Sequence, residues 1–346
     1  MGIVGIGFGQ QVHVPAFRLD PRCEVVALCS SAVERAQAVA NRLGIPKGYG
    51  DWQEMILDPE IDAISIATPP IVQPAIALFA LLHGKHIFCE KPLATTSEAA
   101  VDVLAVARKS GLAHMIDFEF PVIEEWQQAK VLLETGALGQ VKNVLVSWQV
   151  ETYANRMRLK SWKTDTKAGG GTLNSFVPHI FHYLEWLLEP IRRLKAYLWF
   201  DAAEDQIYAD KTANLWLQLA GGTPVSISVS SNSFLGTGHR VEIYGDRGSL
   251  ILVNPGSDYV NGFELFHGTR GNKGLERIVV KSDRLNHSDG RVVMVGRLVK
   301  RFVDWVHDGI PGTPTIEHGY RVQTLIDAAR ASHTKGTWLD VLNIPY

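Results

Sequence analysis

The chain has 346 residues, enough for about two domains of ordinary size. Apolar residues make up 46% and charged residues 20%, with a net charge of −2, which allows packed cores and gives no reason to expect a nucleic-acid or membrane-surface partner. No charged-then-apolar leader precedes the first strand and no apolar run nears the roughly 18 residues of a spanning helix, so the expectation is a cytoplasmic protein. The three cysteines, Cys23, Cys29 and Cys89, form no CxxC pair, which argues against a disulfide framework or a zinc site.

In chain order, Ile3 to Ile6 reads as a short buried strand entering the turn Gly5-Ile6-Gly7-Phe8-Gly9-Gln10. Gly5 lets the chain turn tightly, Gly7 lets a pyrophosphate approach the backbone, and the amides of the next helix would bind its charge. The third glycine of such a turn falls on Gln10, with Gly9 one place early. That predicts a looser helix–strand approach or a Gln10 side chain that touches the ligand. A helix over 14–19 precedes a second strand, 24–29, which ends Cys29-Ser30-Ser31 without a carboxylate for the ribose hydroxyls. Small hydroxyls with Arg35 nearby suit a 2′-phosphate, so NADP is the preferred cofactor and NAD the other possibility.

A helix over 32–43 carries Ala36, Val39, Ala40 and Leu43 on one face and ends at Gly44. A third strand, 63–67, ends in Thr68-Pro69-Pro70, and an apolar helix over 72–82 stops at Gly84. The next strand, 85–89, leads into Glu90-Lys91-Pro92. A lysine at the carboxyl end of such a strand faces the ligand crevice, and the proline beside it helps to aim it. A helix over 98–109, with Thr95, Thr96 and Ser97 as N-cap candidates, and a strand over 112–116 follow. This alternation predicts a doubly wound parallel sheet over residues 1–117.

Residues 118–346 read differently. A helix over 122–134 closes at Gly136, and then strands dominate: 141–151, 194–200, 212–219, 224–232, 240–244, 249–253, 262–266 and 277–281. Two helices, 292–307 and 317–332, close the chain. The fold class is therefore α/β, with a C-terminal α+β domain on a large, mainly antiparallel sheet. The polar stretch 153–163 carries Arg156, Arg158, Lys160, Trp162 and Lys163 and is a candidate to face substrate. His179 and His182 share roughly one helix face, but a third ligand is missing, so no metal is expected.

The glycine turn followed by His13-Val14-Pro15-Ala16, then Ala67-Thr68-Pro69-Pro70, Gly84-Lys85-His86 leading to Glu90-Lys91-Pro92, Glu134-Thr135-Gly136 with Leu138-Gly139, Gly169-Gly170-Gly171 before His179, and Gly245 with Gly248 recur in a fixed order. In that order they resemble the Gfo/Idh/MocA oxidoreductases, relatives of glucose–fructose oxidoreductase and inositol dehydrogenase, over nearly the whole chain. The resemblance implies a Rossmann domain and a C-terminal α/β domain whose open sheet joins subunits, hence a homodimer or homotetramer. It implies that Lys91 sits near the nicotinamide and the substrate hydroxyl, that Glu90 helps place it, and that the bond to Pro92 is cis.

Residues expected at the cofactor are then Gly5, Gly7, Phe8, Gly9, Gln10, Ser30, Ser31, Arg35, Ala67, Thr68, Pro69, Pro70, Gln73, Glu90, Lys91 and Pro92. Lys91 and His179 are the catalytic candidates. Asp117, Glu119, Trp162, Lys163, Ser175 and His182 are the substrate candidates. Three departures from the family pattern stand out. Ser175 occupies the position of an Asp four residues before the His, Gln73 replaces a common His, and Asp117-Phe118-Glu119-Phe120 replaces Asn and Arg before the Phe. The implied activity is NAD(P)-dependent oxidoreduction of a sugar-like hydroxy or carbonyl compound. The alternatives are a nucleotide-binding sensor without turnover, motivated by Ser175, and a redox-assisted lyase or glycosidase.

Overall fold

The computed structural model describes residues 1–201, 209–256, 258–281 and 287–341. The described residues fall into two compact units, one built on 1–119 and 287–323, the other on 120–281 and 324–341. No described helix is long and apolar enough to cross a membrane.

In the first unit the strands are β1 (Gly2–Val4), β2 (Ala27–Cys29), β3 (Lys47–Tyr49), β4 (Ala63–Ile66), β5 (His86–Cys89) and β6 (His114–Ile116). They pair in parallel in the order β3-β2-β1-β4-β5-β6. β1, β2 and β4 are buried throughout, as strands covered by helices on both faces must be. The sheet changes winding direction between β1 and β4, where doubly wound sheets open a crevice beyond the strand ends. The connecting helices are α1 (Val14–Phe17), α2 (Val33–Leu43), α3 (Trp52–Leu57), α4 (Gln73–Leu82) and α5 (Ser97–Ser110). α2 buries Ala36, Val39 and Ala40 and ends at Gly44 with φ 63°. The side chain of Thr96 accepts the Ala99 N–H at 3.2 Å and caps α5.

β3 and α3 were not expected from the sequence. Lys47-Gly48-Tyr49 is half-exposed and has no apolar run to mark it. Gly48 is nevertheless required, because a Cβ there would lie 2.6 Å from the backbone of Gln37 in α2. Helix Gly290–Asp308 also belongs to this unit, and its Phe302 meets Phe88 with ring centroids 5.7 Å apart.

The glycine turn corrects one expectation. Residues Gly9–His13 form a π-helical turn in which the Val14 N–H donates to Gly9 O, and α1 follows. A Cβ on Gly9 would lie 3.0 Å from Ile3 of β1. The helix–strand approach is therefore not loosened by Gln10; Gly9 supplies the close contact one residue early.

In the second unit the strands are β7 (Val141–Gln149), β8 (Ile191–Trp199), β9 (Thr212–Leu219), β10 (Pro224–Ser230), β11 (Gly238–Gly245), β12 (Gly248–Asn254), β13 (Glu264–Thr269), β14 (Glu276–Ile278) and β15 (Leu339–Asp340). They run in the order β14-β13-β12-β11-β7-β10-β9-β8-β15, and all pairings are antiparallel except β7 with β10. The helices α6 (Glu124–Glu134), α7 (Tyr153–Arg156), α8 (Thr172–Ser175) and α9 (Val177–Leu187) precede β8. Trp126 of α6 packs on Tyr183 of α9 at 4.6 Å between ring centroids, and on Phe263 at 5.3 Å. Burying a large side chain of this kind contributes roughly 2–3 kcal/mol. Registered across the sheet, Leu145 pairs with Ser226, and Ser226 with Trp216. Trp216 and Leu145 are exposed, so one face carries uncovered apolar side chains.

Candidate functional site

The first unit assembles its site at the carboxyl ends of β1, β4 and β5. Gly5 follows β1 with φ 105°, where L residues are strained, and a Cβ there would sit 2.2 Å from Ala67 O. Glycine is thus demanded by the fold at this position. Gly7 is different, since a Cβ on it meets nothing within 4 Å. The open space beside Gly7 is a cradle that a ligand could fill. Thr68 Oγ1, at the end of β4, is buried and has no hydrogen-bond partner. A backbone cradle with an orphaned donor beside it fits a phosphate-bearing dinucleotide.

Beyond β2, the Ser30 hydroxyl donates to Ala32 O at 2.8 Å and so closes its own turn. Ser31 and Arg35 are exposed, and Arg35 makes no ion pair among the described residues. Gln10 Oε1 accepts from Arg42 at 2.6 Å, which turns the amide of Gln10 toward α2. Phe8 carries the Arg291 guanidinium at 5.3 Å from its ring centroid.

Lys91 is half-buried in the turn after β5, and its bond to Pro92 is cis, in line with the resemblance. Gln73, fully buried at the start of α4, donates to Pro92 O at 2.7 Å and fixes that turn from behind. Next to Lys91, Glu90 Oε1 accepts from His13 Nε2 at 3.0 Å. The other ring nitrogen of His13 hydrogen-bonds Ser65 Oγ of β4 at 2.6 Å, and Asp117 Oδ2 lies 3.8 Å from Nε2.

Burial works to raise the Glu90 carboxyl, but the hydrogen bond and charge of His13, the charge of Lys91 and a hydrogen bond from Asp117 outweigh it and leave it below the ordinary range. Burial, then the charges of Glu90 and Glu119, push Asp117 well above that range, with Lys91 opposing. One donor atom from each of His13, Glu90 and Asp117 lies within 4.8 Å of the others. The His13–Glu90 hydrogen bond draws two of the three together, and we read the trio as a buried polar cluster. Glu119, also buried, adds its charge to this group.

In the second unit, His179 is buried at the start of α9 beneath Phe120, with ring centroids 5.2 Å apart, and His182 is buried one turn on. Ser175 ends α8, and its N–H donates to Gly171 O at 3.0 Å. The triple glycine has a structural cause. A Cβ on Gly170 would lie 2.4 Å from Trp162 O and 2.5 Å from Lys163 O, because the backbone of 162–165 folds directly onto it. Trp162 and Lys163 form a short 3-10 turn there, and the Lys163 ammonium lies 5.7 Å from the Trp162 ring centroid.

The sequence reading missed Asp210, which is buried at the start of α8 and accepts the Leu173 N–H at 2.7 Å. It also missed His13 as a member of the Lys91 cluster. His13 was visible only as a motif letter after the glycine turn, and its partners lie 52 and 77 residues away.

Two family models of the Gfo/Idh/MocA group match the chain: the oxidoreductase NAD-binding Rossmann fold over residues 1–118 and the oxidoreductase C-terminal alpha/beta domain over 130–341. An uncharacterised oxidoreductase of Synechocystis sp. is 33% identical over 99% of this chain and 95% of its own length. Levoglucosan dehydrogenase of Pseudarthrobacter phenanthrenivorans is 24% identical over 99% of this chain and 98% of its own. The solved structure of levoglucosan dehydrogenase with NADH and levoglucosan superposes with a TM-score of 0.88 at 24% identity, covering 98% of both chains.

Proposed function

The chain belongs to the Gfo/Idh/MocA oxidoreductases, with their NAD-binding Rossmann fold, and from that membership we propose that it moves hydride between a nicotinamide dinucleotide and the carbinol or carbonyl carbon of a sugar-like compound. The observation that carries this reading is the pairing, on adjacent strand ends of one sheet, of the cradle at Gly5–Gly7 and Thr68 with Lys91. When bound, the dinucleotide supplies the hydride acceptor or donor. Gly5, Gly7, Phe8 and Gly9 would hold its pyrophosphate, with Ala67 to Pro70 along one side. Lys91 binds the substrate oxygen and takes or gives its proton. Gln73 holds the lysine turn at Pro92 O. His179 is the second proton-carrying candidate. Asp117, Glu119, Trp162, Lys163, Ser175 and His182 remain the substrate candidates.

For the cofactor we favour NADP over NAD, because β2 ends without a carboxylate and Arg35 stands exposed with no ion pair among the described residues. The uncovered face with Trp216 and Leu145 supports a homodimer or homotetramer through the C-terminal sheet, read by sedimentation. The catalytic test is a panel of levoglucosan, polyols and ketoses followed at the nicotinamide absorbance with either dinucleotide. Turnover that Lys91→Ala abolishes is the expected result. Dinucleotide binding without turnover on any member would favour the sensor reading that Ser175 motivates. Tighter binding of NADH than of NADPH in a fluorescence titration would overturn the Arg35 assignment.

A further inference from the structure

The cluster behind Lys91 is more elaborate than a lysine at a strand end requires. His13 is fully buried, and both of its ring nitrogens are engaged, one by Ser65 of β4 and one by Glu90 after β5. Its walls are otherwise aromatic. Phe8, Phe17 and Phe88 meet the ring edge-on, at centroid separations of 5.4, 6.4 and 5.6 Å. Glu90 from the turn after β5 and Asp117 from the turn after β6 face the imidazole, and Lys91 and Glu119 lie near enough to these carboxyls to act on their charge. Helix Gly290–Asp308 turns Phe302 toward Phe17 and Arg291 toward Phe8.

In such a dry setting the hydrogen bond from His13 is the contact that fixes where the Glu90 carboxylate lies. That carboxylate and its Asp117 partner both feel the Lys91 charge. We propose that His13 is a positioning residue for Lys91: Ser65 sets its ring, and Nε2 holds Glu90, the residue that leads into the lysine turn. The inference rests on the assignment of Lys91 to the substrate oxygen. Loss of His13 would free Glu90 to swing.

The test uses the full chain and two readouts. Both are kinetic, kcat and the KM for the dinucleotide, on whichever panel compound is turned over. His13→Ala should lower kcat on the order of tenfold or more, as a displaced catalytic group does, with the KM for the dinucleotide little changed. His13→Gln, whose amide can still donate to Glu90, should recover most of that loss. Should His13→Ala fail to fold, Ser65→Ala, which releases the His13 ring without emptying the site, carries the test with a smaller loss of kcat. Wild-type kcat in these variants, with Lys91→Ala inactive, would sink the positioning role alone. Full turnover by Lys91→Ala would instead remove the reading on which it rests.

Discussion

The imidazole of His239 lies flat on the indole of Trp148, with ring centroids 4.1 Å apart and planes 4° from parallel. The two residues are register partners on β11 and β7, so the sheet itself sets the stack. His239 Nε2 and the Tyr183 hydroxyl hydrogen-bond at 3.1 Å, and Nδ1 has no partner. Burial pushes this histidine down to about 3 from an ordinary value of 6.5. An unfolded chain would take up the proton first, so stability is full above about pH 6.5 and is lost as pH falls toward 3. The separation of those values corresponds to as much as about 5 kcal/mol. His239→Phe keeps the stack and cannot titrate. It should cost roughly 1–2 kcal/mol at neutral pH through the orphaned Tyr183 hydroxyl, yet unfold less steeply in acid. Denaturant titrations of both proteins at pH 7 and pH 4.5 check this; equal losses on acidification would show that His239 does not carry the acid sensitivity.

Asp210 predicts a slope of the opposite sign. Burial raises its carboxyl to about 6, against the Leu173 N–H and the charge of Arg330, which pull it down. A raised carboxyl contributes stability below the ordinary value of 3.8, and that contribution fades as pH climbs through about 6. The full effect is up to about 3 kcal/mol. Because this runs against the His239 effect between pH 4 and 6, the wild type alone reads neither, and each needs its own variant. Asp210→Asn keeps an oxygen for the Leu173 N–H and cannot ionise. Its melting temperature relative to the wild type should rise by a few degrees from pH 4 to pH 7. A constant offset would mean that Asp210 stays ionised throughout.

The carbonyls of Trp162 and Lys163 press on the Cα of Gly170, which gives the triple glycine a test independent of any ligand. Gly170→Ala must push the 162–165 backbone away. We expect a loss of about 2 kcal/mol or more and faster tryptic cleavage at Lys163 or Lys167. Unchanged cleavage would mean that this segment is held by other contacts, such as the Thr164 hydroxyl on Leu159 O.

The parallel sheet was legible because its strands are short apolar runs between capped helices, and Gly44, Thr96 and Gly111 stand where such caps belong. β3 was not, since its pairing depends on an absent side chain at Gly48 and not on an apolar pattern. Lys91 could be found from its place after β5, but its company could not. Ser65, His13, Glu90 and Asp117 meet only when three strand ends are brought side by side, and sequence spacing carries no trace of that. Asp210 was hidden for the same reason, as it reaches the start of α8 from 37 residues away. Gln10 misled because the π-helical turn shifts the close-packing glycine by one residue.

The two turn glycines separate what the fold needs from what a ligand needs. Gly5 has φ 105° and faces Ala67 O, so Gly5→Ala should destabilise the chain by about 2 kcal/mol or more whether or not a dinucleotide is present. Gly7 meets nothing, so Gly7→Ala should leave the melting temperature of the ligand-free protein nearly unchanged, within about 0.5 kcal/mol. If the open space beside Gly7 receives the pyrophosphate, the added methyl occupies ground the ligand must use. Affinity for NADPH or NADH should then fall on the order of tenfold or more, about 1.4 kcal/mol or beyond, in a fluorescence titration. A Gly7→Ala protein that binds both dinucleotides as the wild type does would move the phosphate site away from this turn, and with it the reason for reading Lys91 as the residue beside the nicotinamide.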